Sequence, residues 1–308
     1  MSCPVAAVIV AYASNDELPT CLAALRGKVS EAAVVGNCPE SPFPEERKAE
    51  HPWVEWIENA ENLGFAAGAN QGIAATSAPF VLLLNPDCEL LTGLEGLVEA
   101  CRLESVAGAG GLLLGRDGVP QGGFFARALP TPWTLAFEAL GINRAWPANP
   151  VNRRFRMHGL DWSEECEVQQ PAGAFLLLKR SALVAVGGLD EAFRPAWFED
   201  VDLCRRLYDA GYALRYTPRA VARHGGGHSV RRLTVSRRLE AWYGGLLRFA
   251  GKHFSHAAYR SVRMAVLVGL SLRRIRCLLG RGSVADADAY ASTFRLVRGG
   301  FPGRLRST

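Results

Sequence analysis

Short hydrophobic runs, not long ones, punctuate the first two-thirds of the chain, and most stop at glycine, proline or asparagine. Val5 to Ala11 reads as a first buried strand. Asn15 or Asp16 is placed to cap the next helix, with Leu18, Leu22 and Leu25 on one face and Gly27 at its end. Ala32 to Gly36 is a second strand that runs into Asn37, Glu40 to Pro52 a polar surface loop, and Val54 to Ile57 a third strand. Asn62-Leu63-Gly64-Phe65 then opens a helix in which Gly64, Ala67, Gly68 and Gly72 allow close approach to a sheet or a ligand. Its N-terminus suits an anion, although the G-x-G-x-x-G dinucleotide signature is absent. Val81 to Leu84 is a fourth strand, Thr92 to Arg102 a helix, and Val106 to Leu114 a glycine-rich strand. Arg116 to Glu167 has no period and reads as an irregular excursion whose tryptophans and Arg153-Arg154-Phe155-Arg156 cluster suit either a sugar face or a phosphate, or a surface excursion that packs its own aromatics. Ala174 to Leu178 is a strand, Arg180 starts a helix that Gly187-Gly188 ends, Val201 to Ala210 is a helix capped by Gly211, and Ala213 to Thr217 is a strand.

This order of elements indicates a nucleotide-binding α/β fold. Two places carry candidate chemistry. Pro86 cannot join a sheet ladder, so Asn85-Pro86-Asp87 ends the fourth strand and holds Asp87 beyond its carboxyl end. Ligands bind at that edge of an open α/β sheet, and a carboxylate there suits a Mg²⁺-like ion; the plain alternative is a turn without chemistry. Downstream, Glu199, Asp200 and Asp202 crowd the start of a helix, where the macrodipole favours negative charge whether or not there is chemistry. His224 follows a strand and precedes Gly225-Gly226-Gly227-His228, a rim where its imidazole could meet a metal or simply be structural. An esterase reading of His-Gly-Gly-Gly fails because no serine sits in a nucleophile elbow.

Composition narrows the partners. The chain has 308 residues, 49% hydrophobic, with a formal charge of +5. That is enough apolar material for a sizeable core. From Leu233 onward arginines alternate with aliphatics at helical spacing. An amphipathic basic helix on an anionic leaflet and a hairpin packed on the rest of the chain both fit this pattern. Nucleic acid fits poorly, since the arginines sit among aliphatics. No run reaches the ~20 apolar residues of a membrane span. Pro4 to Ala13 lacks the basic lead of a signal peptide and is taken as a strand. The 8 cysteines form no C-x-x-C pair and read as free thiols in a reducing compartment, so the protein is expected in the cytoplasm, attached peripherally at the inner membrane face.

Taken in order, Val8-Ile9-Val10-Ala11-Tyr12, Asn62-Leu63-Gly64-Phe65 through Asn70, Leu84-Asn85-Pro86-Asp87, Gly187-Gly188-Leu189-Asp190-Glu191, Phe198-Glu199-Asp200-Val201-Asp202-Leu203-Cys204-Arg205-Arg206, Ala210-Gly211-Tyr212 and His224 resemble a family 2 glycosyltransferase of the bacterial rhamnosyltransferase-like branch. The resemblance implies the GT-A fold, a mixed, mostly parallel sheet flanked by helices, over residues 1–228, with a basic helical extension over 229–308. It implies an inverting, direct displacement that moves a sugar, rhamnose from dTDP-rhamnose foremost, from a dTDP- or UDP-sugar to a glycan or lipid-linked acceptor. Asp87 and His224 would hold Mg²⁺ or Mn²⁺, Asp200 would be the base, and Ala11, Asn37, Gly64, Asn70, Asn85 and Asp87 would line the nucleotide site. Two positions depart from the family pattern. Asn85 replaces the first acid of D-x-D, and Gly36 precedes Asn37 where relatives carry an aspartate that helps hold the base or ribose. The rival is a non-catalytic nucleotide-sugar-binding scaffold of the same fold.

Overall fold

The computed structural model describes residues 4–226 and 233–300; His228 and the expected boundary at 228/229 lie outside the described residues. The chain begins with β1 (Val5–Ala11), α1 (Leu18–Leu25), β2 (Glu31–Gly36), α2 (Glu45–Glu50), β3 (Val54–Glu58), α3 (Phe65–Ala74), β4 (Phe80–Leu84), β5 (Cys88–Leu90), α4 (Glu95–Ala100) and β6 (Val106–Leu114). Then come β7 (Ala126–Arg127), α5 (Pro132–Leu140), α6 (Ile142–Ala145), α7 (Pro150–Phe155), β8 (Cys166–Val168), β9 (Gln170–Pro171), β10 (Phe175–Lys179), α8 (Arg180–Val186), α9 (Glu199–Asp209) and β11 (Ala213–His224). Three helices close it, α10 (Val235–His253), α11 (His256–Arg276) and α12 (Val284–Gly299).

The main sheet has 9 strands in the order β3-β2-β1-β4-β10-β6-β11-β5, with β8 also on β11. β1, β2, β3 and β4 pair in parallel, as do β6 and β11, while β10, β5 and β8 run antiparallel to their neighbours. Every residue of β1 is buried, as both faces of a central strand require. Alternation then splits the core. Val5, Ala7 and Ile9 meet Leu18, Leu22 and Leu25 of α1 on one face. Val8 and Val10 meet Leu203 and Leu207 of α9 and Leu246 and Phe249 of α10 on the other. The first of the C-terminal helices is therefore part of the second core. α11 joins it through Val262, Val266 and Leu270.

Several local expectations change. Neither Asn15 nor Asp16 caps α1: the Asn15 side chain turns to the 41–47 segment, its Oδ1 accepting from Arg47 and its amide donating to Ser41 Oγ and Pro42 O, and Glu17 stands at the cap position. The loop 40–52 contains α2, whose Lys48 bridges Glu45 and Glu58. Thr92 does not open a helix. Its hydroxyl accepts from Val221 N, and α4 starts at Glu95. The irregular excursion holds three helices. α5 begins at Thr131, whose side chain caps it ahead of Pro132, and α7 at Asn149, which does the same ahead of Pro150. The last strand runs on past Pro218 to His224, with its register shifting between Thr217 and Val221. Among the described cysteines all are free.

Candidate active site

The site starts from a strand register. β5 lies antiparallel to β11 with Cys88 opposite His224, and Gly225 N donates to Asp87 O at 3.0 Å. Asp87 and His224 are thus brought together from positions far apart in sequence, with His224 Nε2 at 3.5 Å from Asp87 Oδ1 and both side chains nearly covered. Gln121 Oε1 lies 3.0 Å from His224 Nδ1. The Nδ1–H tautomer donates to it and leaves the Nε2 lone pair facing Asp87, with the Asn85 amide 3.4 Å away. Phe124 stacks on the imidazole at 5.3 Å. Burial holds His224 below its ordinary pKa, so the ring is neutral at pH 7. Cys88 also belongs to this cluster. Its thiol donates to Ala174 O at 3.4 Å, and burial pushes it far up, which keeps it protonated and unsuited to a metal. A carboxylate oxygen and a neutral imidazole nitrogen remain. That donor pair fits Mn²⁺ or Mg²⁺.

The second carboxylate arrives on α9. The turn before it is strained, with Trp197 at φ 78° and Phe198 at φ 71°, conformations that cost about 1–3 kcal/mol each for non-glycine residues. Helix α10 holds the turn. Trp242 packs against Trp197 at 5.8 Å and Phe198 at 5.3 Å, and Phe249 meets Phe198 at 5.9 Å. A Cβ at Gly245 would lie 2.7 Å from Trp197 O, so only glycine lets the helix come this close. Behind the turn, Asp202 is fully buried and accepts from Arg206 at 2.8 Å, Lys252 at 2.8 Å and His253 at 2.7 Å. Although its burial opposes ionisation, those three donors hold its carboxyl down at about 2. Asp202 is a clamp between α9 and α10.

Asp200 points the other way. Its Oδ2 accepts from Gln170 Nε2 and Gly173 N, both at 3.1 Å, and its Oδ1 from Val201 N at 2.8 Å. Oδ2 thus uses both of its lone pairs, while Oδ1 keeps one for a further partner. Burial, and then the charge of Asp200, raise neighbouring Glu199 to about 8.

Asn37, Asn85, Asp87, Asp200 and His224 line one cavity of about 690 Å³. Ala11, Gly64 and Asn70 stand behind its wall. Ala11 is buried, with its carbonyl accepting from Asn37 N. The Asn37 amide donates to Gly64 O at 2.8 Å and so ties β2 to the start of α3, whose Phe65 N–H is taken by Pro195 O. Asn70 exchanges hydrogen bonds with the backbone of Leu189 and reaches Glu191. At Gly36 a Cβ would lie 2.9 Å from Phe43, which packs on Trp56, so an aromatic pair fills the volume beside this strand end. Gln121, Phe124, Arg127, Gln170 and Glu199 also line the cavity. The first three lie in the aperiodic segment, where no pattern singles them out. Glu199 alone carried a signal, as the acid next to Asp200. Arg156 and Phe155 reach the cavity from the arginine cluster, whereas Arg153 and Arg154 do not.

Comparison with known proteins agrees with this geometry. The family model described as Glycosyl transferase family 2 matches residues 6–148. The N-acetylglucosaminyl-diphospho-decaprenol L-rhamnosyltransferase of Mycobacterium tuberculosis is 31% identical over 73% of this chain and 77% of its own length. The pre-mycofactocin glycosyltransferase of the same organism is 29% identical, and the match covers 75% of this chain and 44% of that protein. Among solved structures, GalNAc-T7 with UDP, GalNAc and Mn²⁺ superposes at a TM-score of 0.57 with 13% identity, over 96% of this chain and 56% of that one. The Pyrobaculum calidifontis mannosyltransferase with GDP-Man and Mn²⁺ gives 0.51 with 15% identity, over 97% and 81%. The fold is that of the GT-A glycosyltransferases, the Asn85-Pro86-Asp87 end of β4 and the Asp200 carboxylate line one cavity, and a relative this similar spans most of both chains: the protein belongs to glycosyl transferase family 2 and is a glycosyltransferase.

Proposed function

We propose that the enzyme transfers rhamnose, with inversion and in one displacement, from dTDP-rhamnose to a glycan or lipid-linked acceptor. The observation that carries this reading is that the Asp87–His224 pair and the anchored Asp200 carboxylate line the same cavity. Asp200 takes the proton of the acceptor hydroxyl; Gln170, Gly173 and Val201 fix its orientation and leave a lone pair for that proton. Asp87 and His224 hold a divalent ion, which when bound neutralises the charge of the departing diphosphate. Asn85 stands beside them, and Asn37 holds the strand end against α3. Rhamnose and a diphospholipid-linked acceptor are supported by the Mycobacterium tuberculosis rhamnosyltransferase named above. The intact base and metal pair speak against a non-catalytic scaffold.

Among the described residues no helix is long and apolar enough to cross a membrane. Peripheral attachment is supported by α11, where Met264, Val268, Leu272 and Ile275 are exposed at helical spacing and Leu278 and Leu279 continue the stripe. Arg274, Arg276 and Arg281 are exposed beside it. Apolar side chains among arginines suit an anionic lipid surface.

The test is sugar transfer to a short polyprenyl-diphospho-N-acetylglucosamine, followed by mass spectrometry, with dTDP-rhamnose, UDP-glucose and GDP-mannose as donors. Turnover with dTDP-rhamnose, reduced about 10²–10⁴-fold in Asp200→Asn, is expected. Turnover with another donor alone would overturn the rhamnose assignment, and full activity in Asp200→Asn would overturn the base.

A further inference from the structure

Besides His224, two cationic residues line the cavity among the described residues, Arg127 and Arg156. Arg156 is committed, with Nε on Asn152 Oδ1 and Nη1 on Gly123 O, both at 3.2 Å. Arg127 is not. Among the described residues its guanidinium makes no hydrogen bond and no ion pair, and its Nε is fully buried without a partner. Two aromatic faces hold it, Phe124 at 5.9 Å and Phe155 at 5.6 Å from the ring centroids.

The carboxylates that could have paired with it are engaged elsewhere. Asp200 accepts from Gln170, Gly173 and Val201, and Glu138 accepts from Asn143 at 3.0 Å. Two other buried atoms of the cavity lining also lack partners, Gln170 Oε1 and Glu199 Oε2. Gln170 faces Arg127 across the β7–β9 pair, and Asp200 is the strongest charge acting on the guanidinium. Arg127 is half-buried, with its Nε wholly covered; a covered donor without a partner on a charged side chain is costly, so a fold that keeps one at the edge of a cavity is prepared for an anion from outside.

We propose that Arg127 seats a phosphate or diphosphate carried by the acceptor, so that the enzyme takes a phosphate-bearing acceptor and not a neutral glycan. The proposal deepens the glycosyl-transfer reading and rests on it. Along the cavity wall the order is His224, Phe124, Arg127, Phe155, with the His224 and Phe124 rings stacked at an interplanar angle of 5°. The donor's diphosphate belongs with Asp87 and His224. Arg127 lies beyond the Phe124 ring, on the side of Asp200. A guanidinium is suited to this task, because its planar fork matches phosphate oxygens.

The test uses inorganic pyrophosphate, titrated calorimetrically in EDTA, on the full chain and on Arg127→Met, Arg127→Lys and Asp87→Ala. Wild type should bind it. Arg127→Met should weaken binding about tenfold or more, Arg127→Lys less, and Asp87→Ala not at all. Mn²⁺-dependent dTDP binding should show the reverse, lost in Asp87→Ala and kept in Arg127→Met. With acceptors that differ only in the diphosphate, Arg127→Met should raise the acceptor KM for the phosphorylated one alone. Arg127→Met should also unfold at no lower temperature than wild type, since it removes a covered donor without a partner; an arginine that merely supports the fold would lower it. Equal pyrophosphate affinity in wild type and Arg127→Met would overturn the proposal. Loss of Mn²⁺–dTDP binding in Arg127→Met would overturn it too, by assigning the arginine to the donor. No Mn²⁺-dependent nucleotide binding in any variant would reject the donor reading, while the pyrophosphate comparison would still decide the anion site.

Discussion

Gly245→Ala probes how α9, which carries the proposed base, is held. A Cβ there would sit 2.7 Å from the backbone oxygen of Trp197 and 3.2 Å from Phe198 Cδ2. The closest ordinary carbon–oxygen approach is about 3.3 Å, so helix and turn must separate by roughly 0.6 Å. The obstacle is backbone, which no rotamer change can relieve. Alanine in a helix interior gains about 0.8–1.0 kcal/mol over glycine, and overpacking costs about 1–3 kcal/mol. Net stability should therefore change little, falling by about 0–2 kcal/mol in urea unfolding. Activity should change far more. The turn that moves carries Glu199 and Asp200, and a displacement approaching 1 Å at a catalytic group costs up to about 10²-fold. Steady-state kinetics should show kcat down by about 10–100-fold, with Mn²⁺-dependent nucleotide affinity intact because Asp87 and His224 sit on other elements. A variant that is more stable by the full helix gain, with unchanged kcat, would refute the reasoning.

Asp202→Asn should cost about 3–5 kcal/mol in urea unfolding at pH 7, because Arg206 and Lys252 lose their buried counter-charge and His253 its acceptor. In wild type the Asp202 carboxyl lies at about 2 against an ordinary value near 3.8. Its contribution, about 2 kcal/mol, is present above pH 4 and is lost as pH falls toward 2, a slope that Asp202→Asn should remove. Glu199 has the opposite sign. With its carboxyl raised from an ordinary 4.5 to about 8, the folded state keeps the proton that the unfolded chain gives up; the contribution is full below pH 4.5 and is lost as pH rises through 8, so Glu199→Gln should flatten the loss of stability between pH 4.5 and 8. Gln121→Leu frees His224 Nδ1 and should weaken Mn²⁺ affinity about 10–100-fold in a direct titration, with nucleotide affinity measured without metal unchanged.

Much of the strand framework could be read from the sequence because β1, β4, β6 and β10 are continuous apolar runs with sharp ends. The Asn-Pro-Asp stop and the acid cluster of α9 were equally visible, since chain-breaking and helix-start signals are local. What brings Asp87 to His224 was not. β5 is three residues with a glutamate in the middle, too short and too polar to announce itself, and its register with β11 joins Cys88 to His224, far apart in sequence. The helices α5 and α7 did carry a usable signal, a capping Thr131 or Asn149 followed by proline; in α5 it was obscured by the exposed Trp133, which spoils the apolar period. Gln121, Phe124 and Arg127 gain meaning only through contacts across the fold.

The central claim is that Asp87 and His224 hold a metal ion that serves a nucleotide-sugar donor, while Asp200 acts on the acceptor in the same cavity. A thermal-shift panel tests it most directly. dTDP, UDP and GDP are each added with and without Mn²⁺ to wild type, Asp87→Ala, His224→Ala and Asp200→Asn. A nucleotide at ~100 times its dissociation constant stabilises the fold by about 2.7 kcal/mol. The account predicts a Mn²⁺-dependent shift with one nucleotide, dTDP, that is lost in Asp87→Ala and His224→Ala and kept in Asp200→Asn. A shift independent of Mn²⁺, or one that survives both substitutions of the metal pair, would contradict it.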